Sequence, residues 1–378
     1  MKNQKICIIG DGLAGLTTAI ALRKLNLNID LFCRKYNGSS RKDKRTTAIS
    51  ESSYQFLKEN IDLKKNRYFW PCKKIDLFYE NQDKYLNFLN YKSKDKNLMH
   101  IFENIKLVKY LISKLKKYEN VSFVHDFVQE VNYDNSFVRF RKKKIYYDLI
   151  ILCAGNKSTF YKSIDLGRCI DKDYKEFAIT GNIKHNLKVN GSSQYFLKEG
   201  PLAILPFKRN MLSLVWSISN DFSKKNIKIL IKNKLRYIFG KKGKIKILEL
   251  QSFPLYLNLK TRYFRKNILI LGQGIHSMHP IAGQGFNLIL RDIKKLSEII
   301  KENLRLGIAI KDSYVLKEFY KSRNPENTII GLGNDLIHNF FKKSELTDPI
   351  KLYLLNNIGK YESIRKISKS ISDKGFFI

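Results

Sequence analysis

The chain is poor in acidic residues, proline and cysteine, and it has no long hydrophobic run. Its five cysteines are odd in number and form no C-x-x-C pair, so the sequence predicts a reducing compartment with no disulfide framework and no zinc site. The N-terminal apolar run ends early, at Gly10, which is not typical of a signal peptide. No stretch reaches the roughly 18 apolar residues of a membrane span. We expect a cytoplasmic protein whose membrane contact, if any, is peripheral.

The shortage of acids leaves 71 Lys and Arg against 34 Asp and Glu, a formal net charge of +37 at pH 7. The basic residues are spread over the whole chain, which favours a solvated surface. Attraction to an anionic membrane is the alternative. No zinc-ligand spacing or RNP-like aromatic motif accompanies the charge, so no nucleic-acid partner and no metal are expected.

A glycine-rich turn near residue 280 carries the most information. A short apolar strand at 267–271 leads through Gly272-Gln273 and His279-Pro280 to Gly283-Gln284-Gly285-Phe286-Asn287 and a long amphipathic helix. Backbone amides at such a helix start form an anion site. The glycines also let the main chain approach a flat ligand closely.

A second glycine turn lies at the start of the chain. A buried strand at 5–9 runs into Gly10-Asp-Gly12-Leu13-Ala14-Gly15, and a helix and a further strand at 28–32 follow. This is the Rossmann fingerprint in its proper context. Its ribose-binding acid is missing, because the second strand ends in Cys33-Arg34. Two such turns, far apart in sequence, predict one extended dinucleotide held at both ends.

With these turns, several other segments resemble the class A FAD-dependent aromatic hydroxylases. The similarity is greatest to the ubiquinone-biosynthesis branch, the 2-polyprenyl-6-methoxyphenol hydroxylase type. The matching segments are Arg45-Thr-Thr-Ala-Ile-Ser50, the strand ending in Ala154-Gly155, Gly200-Pro-Leu-Ala-Ile-Leu-Pro206 with Leu214-Val-Trp216, His279-Pro-Ile-Ala-Gly-Gln-Gly-Phe-Asn287, and the Tyr320, Arg323, Asn327 helix.

The resemblance implies an α/β fold in which a β-rich substrate domain interrupts a Rossmann-type FAD-binding domain. We assign 1–70, 98–168 and 263–330 to the FAD domain, 71–97 and 169–262 to the substrate domain, and 331–378 to a helical C-terminal segment. The implied cofactors are FAD and, as electron donor, NAD(P)H. The implied reaction is oxygen-dependent hydroxylation of a polyprenylated phenol through a flavin hydroperoxide.

The resemblance also assigns residues to the site. His279 and Pro280 are candidates for the reaction pocket, and Pro206 and Trp216 for the substrate side. The cofactor candidates are Gly10, Gly12, Leu13, Ala14, Gly15, Cys33, Arg34, Arg45, Val128, Gly155, Gly272, Gln273, Gly283, Gln284, Gly285, Phe286 and Asn287. His276 and Asp292 are expected to be structural.

Three positions depart from the family pattern. Cys33 replaces the ribose-binding Glu, Ala154 the Asp of a D-G motif, and Gln273 the Asp of a later G-D motif. Gln273 can still hydrogen-bond a hydroxyl. Two alternatives stay open, the first of them because of Cys33 and Ala154. One is a homologue with weakened redox activity that acts as a structural member of a quinone-biosynthesis assembly. The other is a class A hydroxylase for a different aromatic substrate.

Overall fold

The coordinates are a computed structural model. It describes residues 4–33, 43–63, 68–82, 84–155, 158–163, 169–219, 226–240, 243–342 and 347–375. The strands are β1 (Lys5–Ile9), β2 (Asn28–Phe32), β3 (Thr46–Ser50), β4 (Phe69–Cys72), β5 (Lys74–Asn81), β6 (Lys84–Lys92), β7 (Met99–Glu103), β8 (Val121–Val124), β9 (Val128–Asn132), β10 (Phe137–Phe140), β11 (Lys143–Tyr146), β12 (Leu149–Leu152), β13 (Cys169–His185), β14 (Ser192–Leu197), β15 (Gly200–Lys208), β16 (Met211–Ser219), β17 (Ile245–Lys260), β18 (Phe264–Arg265), β19 (Ile268–Ile270) and β20 (His276–Ser277).

Within these residues the α-helices are α1 (Leu13–Leu22), α2 (Glu51–Ile61), α3 (Asn104–Leu115), α4 (Ile227–Phe239), α5 (Gln284–Arg305), α6 (Ser313–Phe341), α7 (Asp348–Ile358) and α8 (Glu362–Lys374). None of them is both long and apolar enough to cross a bilayer.

A six-stranded sheet in the order β18-β19-β12-β1-β2-β8 forms the first layer. All its strand pairs are parallel except β18 with β19. Parallel strands are covered on both faces, which is why β1 and β12 are almost continuously apolar and buried. The carboxyl ends of β1, β2, β8 and β12 therefore meet at one edge, where ligands bind in open α/β sheets.

A second, eight-stranded sheet in the order β20-β17-β13-β16-β15-β14-β5-β6 is antiparallel except where β14 pairs with β5. Helix α4 packs on it through Ile231 and Leu235, which share a core with Trp216. This sheet draws on segments before and after β12, as an interrupted cofactor domain requires. The exact domain boundaries stay a prediction.

One expected element is different in the structure. The sequence pattern predicts a helix over 46–59, but the helix begins only at Glu51, and Thr46–Ser50 is a strand paired with β7. Two β-branched threonines favour the extended form, and the Ser50 side chain caps α2 by accepting from the Ser53 N–H. The sequence pattern also predicts a helix over 227–239, and α4 spans these residues.

Candidate cofactor site

The first glycine turn binds β1, α1 and β12 together at the sheet edge. Gly10 has φ +129°, and a Cβ there would lie 2.2 Å from the Cys153 carbonyl oxygen. A Cβ on Gly15 would lie 1.9 Å from the Gly10 carbonyl oxygen. Only glycine permits these approaches. A Cβ on Gly12, by contrast, would meet no heavy atom within 4 Å, so this residue borders open space.

The second glycine turn is fixed to β3 by Asn287. The Asn287 amide oxygen accepts from the Ser50 N–H at 2.9 Å, and its amide nitrogen donates to the Gly283 carbonyl at 3.0 Å. Gly283 precedes α5 in the left-handed conformation, with φ +63°. The first amides of α5 therefore point out of the turn without intrahelical acceptors.

Both turns line one cavity of about 1620 Å³. A single small-molecule site usually measures about 300–1,000 Å³, so this cavity has room for a cofactor and a second ligand. The predicted cofactor residues that line it are Gly10, Gly12, Leu13, Ala14, Cys33, Arg45, Val128, Gly155, Gln273, Gly283, Gln284, Gly285, Phe286 and Asn287. Gly15 and Gly272 are not among the lining residues, and Arg34 lies outside the described residues.

The cavity suits a dinucleotide such as FAD. Two helices, α1 and α5, begin at it, and the positive ends of their dipoles favour phosphate or negative charge. Cβ atoms placed on Gly12, Gly155 or Gly285 would meet no atom of the described residues within 4 Å, so the main chain there is open to a ligand. The first turn would hold the pyrophosphate, and the second the flavin ring.

Arg45 lines this cavity but pairs with Asp43. Its Nε and Nη2 atoms donate to the two Asp43 carboxylate oxygens, each at 2.8 Å, and its guanidinium lies 4.7 Å from the centre of the Phe253 ring. Burial alone would raise the pKa of Asp43, but the hydrogen bonds and charge of Arg45 outweigh it and lower that pKa. Contact between Arg45 and a phosphate stays a prediction.

Ala154 and Gly155 follow β12 at the cavity edge. The Ala154 N–H donates to the hydroxyl oxygen of buried Tyr161 at 3.1 Å. This contact fixes the main chain at the position where the family has an Asp, although it supplies no carboxylate.

Pro280 lines the cavity, while His279 lies behind it and is 1% exposed. The His279 Nε2 is 3.1 Å from a Glu176 carboxylate oxygen, and the His338 Nε2 is 3.0 Å from the other. The Nδ1 atoms of both histidines have no hydrogen-bond partner among the residues that the structure describes. A metal-bound histidine normally donates its second N–H, so this cluster fits two imidazole N–H groups that donate to one carboxylate better than it fits a metal.

The sequence did not predict this Glu176–His279–His338 cluster, because α6 brings His338 to the site from far along the chain. The Asn334 side chain, also on α6, donates to the His279 carbonyl at 2.7 Å. The cluster therefore anchors the loop before α5 to α6.

A second buried network lies beneath the start of α5. Asp292 is fully buried and accepts from Arg323 Nε at 2.7 Å, Asn327 Nδ2 at 3.1 Å and, at 2.8 Å, His276 Nε2. Arg323 also pairs with buried Glu326. Burial would raise the pKa of Asp292, but Arg323 and His276 outweigh it and lower that pKa. These contacts fit the structural packing role expected of His276. Asp292, expected as a helix cap or surface partner, is instead buried within the network.

Pro206 and Trp216 do not line the cavity, and their neighbours Leu205 and Val215 do. Side chains alternate between the faces of a strand, so adjacent residues point in opposite directions. Trp216 is fully buried on the other face, where its Nε1–H donates to the Gly200 carbonyl at 3.1 Å. The predicted substrate-side residues Pro206 and Trp216 are therefore replaced by Leu205 and Val215, which lie one position earlier on each strand.

The cavity continues between the eight-stranded sheet and the C-terminal helices. We call this part the apolar extension; it is lined by Phe88, Phe196, Ile337, Phe341, Leu355 and Ile364. Phe196 and Phe341 stack with ring centres 3.5 Å apart. Ile337 and Ile364 are 46% and 37% exposed, so the extension reaches the protein surface. The sequence pattern predicts the helical tail but not its place in the site.

Helix α8 lies beside both the α2 start and the second glycine turn. The Asp373 carboxylate accepts from the Ser52 N–H at 2.8 Å, and the Ser372 carbonyl accepts from Arg291 Nη2 at 3.2 Å. The C-terminal helices therefore form one wall of the cavity.

A family model described as "FAD binding domain" matches residues 73–316, which is more than half of the chain. The chain belongs to this FAD-binding family. Membership agrees with the two converging glycine turns and with the room that the cavity leaves for a dinucleotide.

Curated relatives carry ubiquinone-biosynthesis names, as the sequence resemblance predicts. The Dictyostelium discoideum "Ubiquinone biosynthesis monooxygenase COQ6, mitochondrial" is 24% identical over 333 residues, covering 70% of this chain and 66% of the relative. The Rhodospirillum rubrum "Ubiquinone hydroxylase UbiL" is 28% identical over 228 residues, covering 58% and 52%. The Escherichia coli "3-demethoxyubiquinol 3-hydroxylase" is 30% identical over 155 residues, covering 40% of each. The matches thus span between two fifths and two thirds of these relatives' lengths.

Solved structures confirm the expected fold. The p-nitrophenol 4-monooxygenase PnpA from Pseudomonas putida DLL-E4 superposes with a TM-score of 0.81 at 14% identity, covering 100% of this chain and 99% of that one. Klebsiella pneumoniae HpxO, complexed with FAD and uric acid, gives 0.74 at 14% identity, covering 98% and 97%. The fold is that of the class A flavoprotein monooxygenases.

Proposed function

We propose that this protein is an FAD-dependent monooxygenase that hydroxylates the ring of a polyprenylated phenol in ubiquinone biosynthesis, with NAD(P)H as electron donor. The observation that carries the proposal is the cavity, in which two glycine turns meet and from which the apolar extension leads to the surface. A ring with a long hydrocarbon tail fits this shape, because the tail can leave through the extension.

Bound FAD supplies the reducing and oxygen-activating chemistry, and the protein orients it and excludes water. The amides of Gln284 and Gly285 at the start of α5 would stabilise negative charge on the flavin ring. Pro280 and Leu205 would shape the wall beside the substrate ring. The apolar rings beyond them would keep water from the reacting atoms.

The C-terminal helices fit contact with an anionic bilayer. These helices expose Leu336, Tyr353 and Ile367, at 69%, 72% and 59%. Basic residues lie among them, including Lys366 and Lys369 on α8. Apolar groups beside lysines are typical of surfaces that bind anionic lipid. A prenylated substrate would then pass from the bilayer into the extension.

Oxidation assays with the purified protein and FAD test the function. We expect NADH or NADPH to bleach the flavin, air to restore its colour, and mass spectrometry to show one added oxygen on a prenylated phenol. Bound FAD that neither donor reduces would favour the redox-weakened homologue. Reduction with oxygen uptake only on other aromatic compounds would favour a different substrate.

A pair of variants on α6 tests the extension itself. Ile337 lines it, whereas Ile329, which is similarly exposed at 42%, lies about two turns away and does not. Ile337→Asp should lower kcat/KM for a long-tailed phenol about tenfold, because it places a charge in the tail's path. Ile329→Asp should not, and both variants should oxidise a tail-less phenol equally.

The same assay tests the membrane surface when the long-tailed phenol is supplied in vesicles. Vesicles of anionic lipid should give faster turnover than zwitterionic ones, and added salt should remove the difference. Equal rates in both would exclude the proposed bilayer contact and leave a protein partner as the occupant of this surface.

A further inference from the structure

The adenosine end of the cavity lacks the acid that normally binds the ribose, and a neighbouring segment occupies its place. We infer that the ribose is bound by His125 and Asp126, at the end of β8, instead of by a residue at the end of β2. The inference rests on FAD binding and not on the hydroxylation reaction.

The sheet topology brings the two strand ends together. β2 and β8 are adjacent and parallel, with Phe32 opposite Val124. The Cys33 N–H donates to the Val124 carbonyl at 3.0 Å, which extends the pairing beyond both strands. Residues 125 and 126 therefore lie beside Cys33, at the edge where the ribose of a Rossmann cofactor is bound.

The His125 imidazole lies beside the Cys33 side chain. Its Nδ1 lies 3.4 Å from the Cys33 Sγ, and both residues line the cavity. A cysteine side chain is too short to take over the role of the family's Glu, and a thiol is a weak hydrogen-bonding group. The imidazole Nε2 extends further and can donate to or accept from a ribose hydroxyl.

Asp126 supplies the missing carboxylate. It lines the cavity, and Arg141 Nε donates to its Oδ1 at 2.7 Å. A carboxylate has about four acceptor positions, so this contact orients Asp126 while leaving capacity for a ribose hydroxyl. The next residue, Phe127, also lines the cavity and is 83% exposed, which offers a ring face to the adenine.

Titration with FAD and with ADP, which contains only the adenosine half, tests the inference. We expect His125→Ala and Asp126→Asn each to weaken FAD and ADP binding about three- to tenfold, and the double variant to weaken it further. Adding Cys33→Glu to the double variant should restore most of the affinity, since it returns the acid to β2.

Glu130→Gln is the matched control. It removes a salt bridge with Arg139 on β10, next to this segment, and Glu130 does not line the cavity. This variant should bind FAD as the wild type does. A double variant that keeps wild-type affinity would overturn the inference while leaving the proposed oxidation untouched.

A crystal structure of the FAD complex gives a second readout that does not depend on any variant. We expect a ribose hydroxyl within about 3.2 Å of His125 Nε2 or an Asp126 carboxylate oxygen. A ribose that contacts neither residue would refute the assignment even if the variants proved unstable.

Discussion

The two ends of the cofactor cavity are built in different ways. At the flavin end, Asn287 and two buried polar networks, around Asp292 and around Glu176, fix the second glycine turn. At the adenosine end, half-exposed side chains after β8 stand where the family acid is missing. The end proposed to hold the flavin is therefore fixed by buried polar contacts. The adenosine end is a surface feature that can exchange one hydrogen-bonding group for another.

Gly12→Val should weaken cofactor binding at both ends of the cavity, because Gly12 lies between them where the pyrophosphate would pass. The valine side chain would point into open cavity space, so the fold should survive while FAD binding falls about 10- to 100-fold. Flavin absorbance of the purified protein and FAD titration measure the loss.

Gly333→Val is the control, since a Cβ on Gly333 in α6 also meets nothing within 4 Å. It lies outside the cavity lining and should bind FAD normally. Normal flavin content in Gly12→Val would contradict the assignment of the first turn.

Arg323→Met should destabilise only the end of the cavity that would hold the flavin. It leaves Asp292 and Glu326, which are 0% and 3% exposed, without their shared cation. Removing one partner of a buried ion pair costs about 3–5 kcal/mol, which urea unfolding would detect. Arg305→Met removes only an exposed pair with Glu302 and should leave the free energy of unfolding unchanged. Equal stability of the two variants would show that the buried network does not stabilise this end.

The smallest effect that we expect in this comparison is the pH dependence of the free energy of unfolding. Burial lowers the pKa of His279, whereas the unfolded chain binds a proton near pH 6.5. The free energy of unfolding should therefore fall as the pH drops below about 6.5. Glu176 stays ionised in this range, because hydrogen bonds from His279 and His338 outweigh burial and lower its pKa to about 2.

His279→Gln keeps a donor for Glu176 but cannot titrate. Its stability should depend less on pH than that of the wild type between pH 7 and pH 5, as thermal melts would show. An identical slope in both proteins would mean that His279 is not held neutral.

The sequence predicted the parts of the site that depend on local chain geometry. Both glycine turns were recognised because strand, turn and helix follow each other within a few residues, and each step constrains the backbone. The hypothesis that the two turns hold a single ligand also predicted that they would line one cavity. The Arg323 and Asn327 helix was noticed as a pattern, but its partner Asp292 became apparent only in the folded chain.

The remaining features depend on tertiary contacts that sequence spacing does not encode. Glu176, His279 and His338 come from a sheet, a loop and a helix, and only the docking of α6 unites them. The exchange of Pro206 and Trp216 for Leu205 and Val215 has a simpler cause. Successive side chains of a strand point to opposite faces of the sheet, so an assignment shifted by one residue selects the wrong face.

The order of strands in the six-stranded sheet has a consequence during synthesis. β12 stays an open edge until β19 emerges from the ribosome, after the entire stretch from β13 to β17 has been made. At about 5–20 residues per second, that edge waits several seconds with unpaired main-chain groups. The nascent chain therefore carries an incomplete nucleotide-binding sheet with an exposed edge while residues 153–267 are made, and slow codons or scarce chaperones in this interval should lower the yield of active protein more than they would elsewhere.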